Sequence, residues 1–165
     1  MEKDSSRVNS FKEVMGNYPT GVTVVTTTDE EKVPVGLTVN SFASVSLDPT
    51  LILWSIDHKV SSHDVFKNAD KFAVQILAAD QSDLCMLFAS KGTDRFGNCV
   101  WKFSDHQLPL LAGVCGILQC KNIRQIDAGD HTILIGEVFD IQKTDKEPLL
   151  YHRRNFGKIP NEFYR

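Results

Sequence analysis

The chain holds 165 residues, 42% of them hydrophobic and 24% charged, a globular balance with length enough to bury a core without disulfide or metal staples. That length favours one domain, residues 1–165, over two. Eighteen basic against 21 acidic side chains leave a formal charge of -3, which excludes the bulk basic character of a nucleic-acid binder and the charge excess of a disordered tail.

The N-terminal MEKDSSRVNS is polar, without the apolar stretch of a secretory signal. Residues 7–16 place Val8, Phe11, Val14 and Met15 at helical spacing, and Gly16 and Pro19 end that helix. GVTVVTTT (21–28) is rich in β-branched residues and predicts a strand. The polar DEEK turns it back into VPVGLTV, a hairpin with an exposed acidic tip. NSFASVSL alternates Phe42, Val45 and Leu47 with small polar residues and stops at Asp48-Pro49. LILWSI (51–56) predicts a buried strand, and Ser61 or Ser62 is placed to cap a short helix, HDVFKNAD. KFAVQIL predicts another strand. DQSDLCMLFAS predicts a helix with Leu84, Leu87 and Phe88 on one face. KGTDRFGNCVWKFSDHQLPLLAG is expected to be a long loop or lid. Its end runs into the longest apolar stretch, LPLLAGVCGIL, about half the ~20 residues of a membrane span. CGILQCKNIRQIDAGDHTILIGEVFDIQ predicts two long strands joined at Asp127–Asp130, and the tail PLLYHRRNFGKIPNEFYR is aromatic, basic and irregular. Short turns rather than regular crossover helices join the strands. A mainly β, antiparallel barrel with flanking helices follows, not a doubly wound sheet. Cys85, Cys99, Cys115 and Cys120 form no CxxC pair, and three of the four sit in apolar context and read as buried thiols. A cytoplasmic, reduced protein is the simplest reading.

No GxGxxG after a strand, P-loop, HExxH or GxSxG occurs, so Rossmann, P-loop, zincin and serine-hydrolase chemistry have no support. No metal site is expected, since His58 and His63 fit no ligand spacing. Four positive features remain, each with a plainer alternative. The run Thr38-Val39-Asn40-Ser41-Phe42-Ala43-Ser44-Val45-Ser46 carries hydroxyls and an amide. If fully extended, it sets Thr38, Asn40, Phe42, Ser44 and Ser46 on one face, suited to the polar edge of a planar heterocycle. The alternative is a solvated strand face. Asp57-His58-Lys59-Val60-Ser61-Ser62-His63 offers hydroxyls, a cation and free N–H groups to a phosphate, or is an ordinary helix cap. Gly129-Asp130-His131 is a turn whose Asp orients a ligand-facing His, or merely a hairpin. Thr93-Asp94-Arg95-Phe96 followed by Trp101 reads as a mobile lid with an anion partner and a stacking ring, or as a packed surface loop. The tail Tyr151–Phe156 invites the same two readings.

In order and spacing these segments resemble the flavin reductase family of FMN-binding split barrels. The matching pieces are Pro19–Thr26, Gly36–Phe42, Ser44–Pro49, Asp94–Phe96, Gly129–His131 and Pro148–Tyr151, spread over roughly residues 8–157. The run TxNSFxSxSxDP is the most specific. The resemblance implies a single FMN-binding split-barrel domain that forms a homodimer, with flavin near the subunit interface. It implies FMN (FAD the alternative) as cofactor and NADH or NADPH as hydride donor. A monooxygenase or another acceptor would take the electrons. Thr38, Asn40, Ser41 and Ser44, with Phe42, would hold the isoalloxazine and ribityl portions. The segment from Asp57 through Lys59 and Ser61 to Ser62 would hold the phosphate, although many relatives carry an Asn-Arg-Ser-Ser-like sequence there. Phe96 would cover part of the site, with Arg95 as an anion partner. His131 would be the catalytic-site residue on the nicotinamide side, placing the hydride donor. The rival on the same fold is an electron-transfer flavoprotein without productive nicotinamide chemistry, and a more distant one binds haem or another phosphorylated heterocycle.

Overall fold

A computed structural model describes residues 4–164. In chain order the elements are α1 (Ser5–Gly16), β1 (Thr20–Gly21), β2 (Thr23–Thr28), β3 (Pro34–Val39), β4 (Ala43–Leu47), β5 (Thr50–Asp57), α2 (His63–Asn68), β6 (Lys71–Ile76) and α3 (Ser82–Ala89). There follow β7 (Trp101–Phe103), β8 (Pro109–Leu111), β9 (Gly116–Ala128), β10 (His131–Lys143), β11 (Leu150–His152) and β12 (Asn155–Gly157). Seven strands make one sheet in the order β3-β2-β6-β9-β10-β5-β4, every neighbouring pair antiparallel. The mainly β, antiparallel expectation therefore holds.

The two edge strands of this sheet, β3 and β4, are consecutive in sequence. A corner at 40–42 joins them, and β3 also touches β5, so the sheet curls until its edges approach. Ser41 bridges the remaining seam. Its hydroxyl accepts from the Ser55 N–H at 3.0 Å and donates to the Ser55 carbonyl at 3.0 Å, replacing a ladder rung with a side chain.

Strand β2 shows how two cores arise from one sheet. Val25 points into an inner cluster with Leu37, Trp54, Ile56, Phe72 and Leu134. Its neighbour Val24 points outward into a second cluster beneath α3, with Cys85, Phe88, Leu110 and Leu149. Alternation along a strand buried on both faces gives this division. Phe66 of α2 joins the inner cluster, where Trp54 meets it edge-on at 5.1 Å and meets Phe72 at 5.7 Å. Rings of this size stabilise a core by roughly 1.5–3 kcal/mol each through burial alone. Gln75, fully buried, fastens β8 to the sheet. Its amide donates to Thr26 Oγ1 (2.9 Å) and the Pro109 carbonyl (3.1 Å), and its Oε1 accepts from the Leu111 N–H (2.6 Å).

Several local expectations change. The run from Thr38 to Ser46 is not one extended face. It breaks at the corner and carries a register shift between Ser44 and Ser46. Thr38 consequently faces α3, while Phe42 packs on the inner cluster. The expected lid at 91–113 contains the β7–β8 hairpin, and Leu108, Leu110 and Leu111 are buried. The tail forms β11 and β12, which pair with β1, and turns at Arg153 and Arg154 with φ of 48° and 64°. Two cysteines, Cys85 and Cys120, are buried, against three expected; Cys99 and Cys115 are half-buried.

Two surfaces lack cover. Helix α1 buries none of its residues, and Val8, Phe11, Val14 and Met15 stand exposed. The outer face of β5, β10 and β9 presents Leu53, Ile133 and Ile135, half-buried, beside exposed Ile123 and Ile126. Among the described residues no helix is long and apolar enough to cross a membrane.

Candidate functional site

Three segments meet at one end of the curled sheet. The first is the corner after β3. The second is the end of β5 and its following turn. The third is the β9–β10 turn. Ser41 is stitched to Ser55, and Asp57 lies two residues beyond, roughly 7 Å along the strand. Asp57 is the ladder partner of His131, and the His58 N–H donates to the Asp130 carbonyl at 3.0 Å. Gly129 adopts φ 63° in that turn, a conformation that costs glycine little.

The individual side chains are committed to different degrees. Thr38 donates its hydroxyl to the Cys85 carbonyl at 2.7 Å, which ties β3 to α3 and leaves only oxygen lone pairs for a ligand. Burial pushes the Cys85 thiol up, an effect the Thr38 contact partly offsets. Asn40 and Ser44 are exposed and, among the described residues, no intramolecular partner holds their side chains. The Asp57 carboxylate accepts from the Lys59 N–H at 2.8 Å. It thus shapes the turn, and an acceptor-only group suits that task better than holding an anion. The side chains of Lys59, Ser61 and Ser62 have no partner among the described residues, and Ser62 makes no side-chain cap on α2. Asp130 Oδ1 lies 2.7 Å from His131 Nδ1, so Nδ1–H donates to it and Nε2 is turned to a half-exposed surface.

Arg95 and Phe96 stand apart from these segments. Arg95 donates from its two terminal nitrogens to the Gly36 and Ser90 carbonyls, each at 2.5 Å, and burial presses its guanidinium below its ordinary value. Phe96 packs edge-on against Phe88 and Trp101, at 5.2 Å each. Gly36 makes this packing possible, since a Cβ there would stand 2.8 Å from Phe88 and 3.2 Å from Phe96. The loop is a fastened strap against β3, not a free anion hook.

Sequence reasoning set aside one cluster that the fold assembles. His58, His63 and Asp127 converge on the buried Thr132 hydroxyl. The Thr132 hydrogen bond, then Lys67, holds the Asp127 carboxyl below its usual range. The five-residue spacing of His58 and His63 across a turn was the available signal.

A cleft of about 310 Å³ lies beside Asn40, lined by Met15, Tyr18, Tyr151, Arg153 and Arg154. A larger hollow of about 800 Å³ shares no residue with the three segments. Asp29, Glu30, Glu31, Asp64 and Asp70 line it, and that charge repels a phosphate.

A family model described as flavin reductase like domain matches residues 15–160. The chain is 42% identical over 153 residues to an FMN reductase (NADH) of Agrobacterium fabrum, covering 93% of this chain and 87% of that protein. It is 43% identical over 148 residues to the reductase component of the flavin-dependent trigonelline monooxygenase of Acinetobacter baylyi, covering 90% of this chain but 48% of that protein. Among solved structures it is similar to an NADH:FAD oxidoreductase of Streptomyces globisporus in complex with NAD and FAD fragments. There the TM-score is 0.88 at 34% identity, covering 97% of this chain and 96% of that one.

Proposed function

Because this chain belongs to the flavin reductase like domain family, we propose that it passes hydride from a reduced nicotinamide nucleotide, NADH foremost, to FMN. The observation that carries the reading is the rim of uncommitted polar groups at one end of the sheet. Among the described residues Asn40, Lys59, Ser61 and Ser62 have no intramolecular side-chain partner there, beside a His131 already oriented by Asp130. These groups fit a planar, phosphorylated cofactor. When bound, FMN supplies the hydride-accepting ring, and the protein supplies position and electrostatics.

Lys59, Ser61 and Ser62 hold the phosphate, on a turn whose shape Asp57 fixes. Asn40 and Ser44 donate or accept along the ring and ribityl chain, while Thr38 and Ser41 offer the lone pairs their structural bonds leave free. Phe42 backs the corner from inside. Arg95 and Phe96 act through β3, by keeping the wall next to Thr38 in place. His131 presents Nε2 to the nicotinamide amide.

The described residues act as one flavin-binding unit that works as a homodimer. The bare apolar faces of α1 and of β5–β10–β9 support this, since contiguous exposed apolar surface of this kind marks an interface. Substituting Asp for Ile133 and Ile135 is expected to convert the dimer to monomer in light scattering. A cytoplasmic location agrees with four unpaired thiols. The electrons go to a monooxygenase or another acceptor, as the names of several relatives suggest.

The test is anaerobic mixing of the purified protein and FMN with NADH or NADPH. Bleaching of the flavin is expected, fastest with NADH. No bleaching with either nucleotide refutes the proposal.

A further inference from the structure

Thr132 is fully buried near the start of β10, and three side chains meet its hydroxyl at once. It donates to Asp127 Oδ1 at 2.7 Å, from the residue directly opposite across the hairpin. His63 Nε2 lies 2.8 Å from the same oxygen, and His58 Nε2 lies 3.1 Å from it. A hydroxyl has one proton and two lone pairs. With that proton given to Asp127, both imidazole nitrogens must carry hydrogen. His58 satisfies this as a neutral ring with its proton on Nε2. His63 does not have that freedom. Its Nδ1 lies 2.9 Å from Asp64 Oδ1, and a carboxylate only accepts. Both His63 nitrogens therefore donate, which only an imidazolium can do.

The charges around the ring agree. Asp64 and Lys67 face it from α2, Asp127 from β9, and the His58 ring from the turn, 5.0 Å away and edge-on. Lys67 Nζ lies 3.2 Å from Asp127 Oδ2. Two carboxylates are matched by two cations only while His63 holds its proton. The His63 side chain is 11% exposed, so solvent does little to replace a lost partner.

We propose that protonated His63 is a positioning residue that ties α2 and the β9–β10 hairpin to both ends of the 58–63 turn, holding Lys59, Ser61 and Ser62 in place for the flavin phosphate. The inference rests on the reading of that turn as the phosphate holder. When His63 loses its proton, its bare Nε2 faces the Thr132 oxygen with no hydrogen between them, or Thr132 must release Asp127. Either outcome loosens the tie.

FMN and riboflavin differ only by the phosphate, so their affinities, read by quenching of flavin fluorescence, isolate the turn. At one fixed pH, His63→Gln, whose amide can keep at most one of the two donated bonds, is expected to lower the FMN advantage about tenfold, the order of one charge-assisted hydrogen bond, while riboflavin affinity stays level. Asp64→Ala, on an exposed side chain, removes the Nδ1 acceptor and is expected to lower the FMN advantage in the same direction by a smaller factor. An FMN advantage unchanged in His63→Gln, or unchanged in Asp64→Ala, overturns the inference. If Lys59→Ala combined with Ser61→Ala and Ser62→Ala leaves the FMN advantage intact, the phosphate-holding reading itself fails, an outcome distinct from the first two.

Discussion

Arg95 invites two roles, anion partner and anchor, and one substitution separates them. Its guanidinium donates to the Gly36 and Ser90 carbonyls, which fasten the strap to β3 and to the end of α3. Hydrogen bonds from a charged donor contribute about 1.5–3 kcal/mol each. Arg95 is only partly buried, so the lower figure applies twice, about 3 kcal/mol in all. Arg95→Ala should therefore lower stability to urea by about that amount. At ~2–4 °C per kcal/mol for a chain of this size, the thermal midpoint should fall by about 6–12 °C. Protein concentration must be held fixed, because the proposed dimerisation would contribute to stability by mass action. Arg95→Lys keeps the charge without the fork, so it should recover at most one of the two bonds. The same proteins should keep the wild-type preference for FMN over riboflavin. An Arg95→Ala protein within about 0.5 kcal/mol of wild type that loses its preference for FMN would refute the anchor and restore the anion partner.

His131→Ala should keep FMN affinity within about twofold while kcat/KM for NADH falls about ten- to a hundredfold, the span of one or two hydrogen bonds, in steady-state assays. A pure electron carrier would show no such nucleotide effect. Gly136→Ala should destabilise by about 1–3 kcal/mol in urea titrations, because its Cβ would stand 2.6 Å from Phe72 and 2.8 Å from Cys120, where neither can retreat. Burial pushes the Cys120 thiol up to about 12. Its folded value thus exceeds the unfolded ~8.5, so its contribution to stability is intact below that value and is lost progressively as pH rises toward the folded one. Alkaline urea titrations should show this loss, and Cys120→Ala should reduce its slope. A thiol dye should reach Cys120 only on unfolding.

Strand content was legible because β-branched runs and turn residues report it locally. The β9–β10 hairpin emerged with its turn where Gly129 and Asp130 place it. The β7–β8 hairpin was hidden, since three-residue strands carry no period to read. The burial of β8 depends on Gln75, a polar residue inside an apolar strand whose partners lie 34 and 36 residues away. Asn40, Lys59, Ser61 and Ser62 could be named from sequence, because groups at turns and corners do not depend on register. The reach of Arg95 to Gly36, 59 residues away, and the convergence of His58 and His63 on Thr132 could not. Both are products of tertiary curl. The continuous polar face from Thr38 to Ser46 failed for a related reason: curling an open sheet needs a corner, and the corner falls in that run.

The Ser41 stitch has a mechanical consequence. Elsewhere the sheet can part only by breaking a ladder of backbone bonds, whereas between β3 and β5 two side-chain bonds of one serine hold it. Their release costs on the order of 1–3 kcal/mol, far less than unfolding the sheet. The most yielding line in the shell thus runs beside the groups proposed to meet the flavin ring. A local parting there strains the packing of Leu37 against the Trp54 cluster across the seam but breaks no backbone ladder.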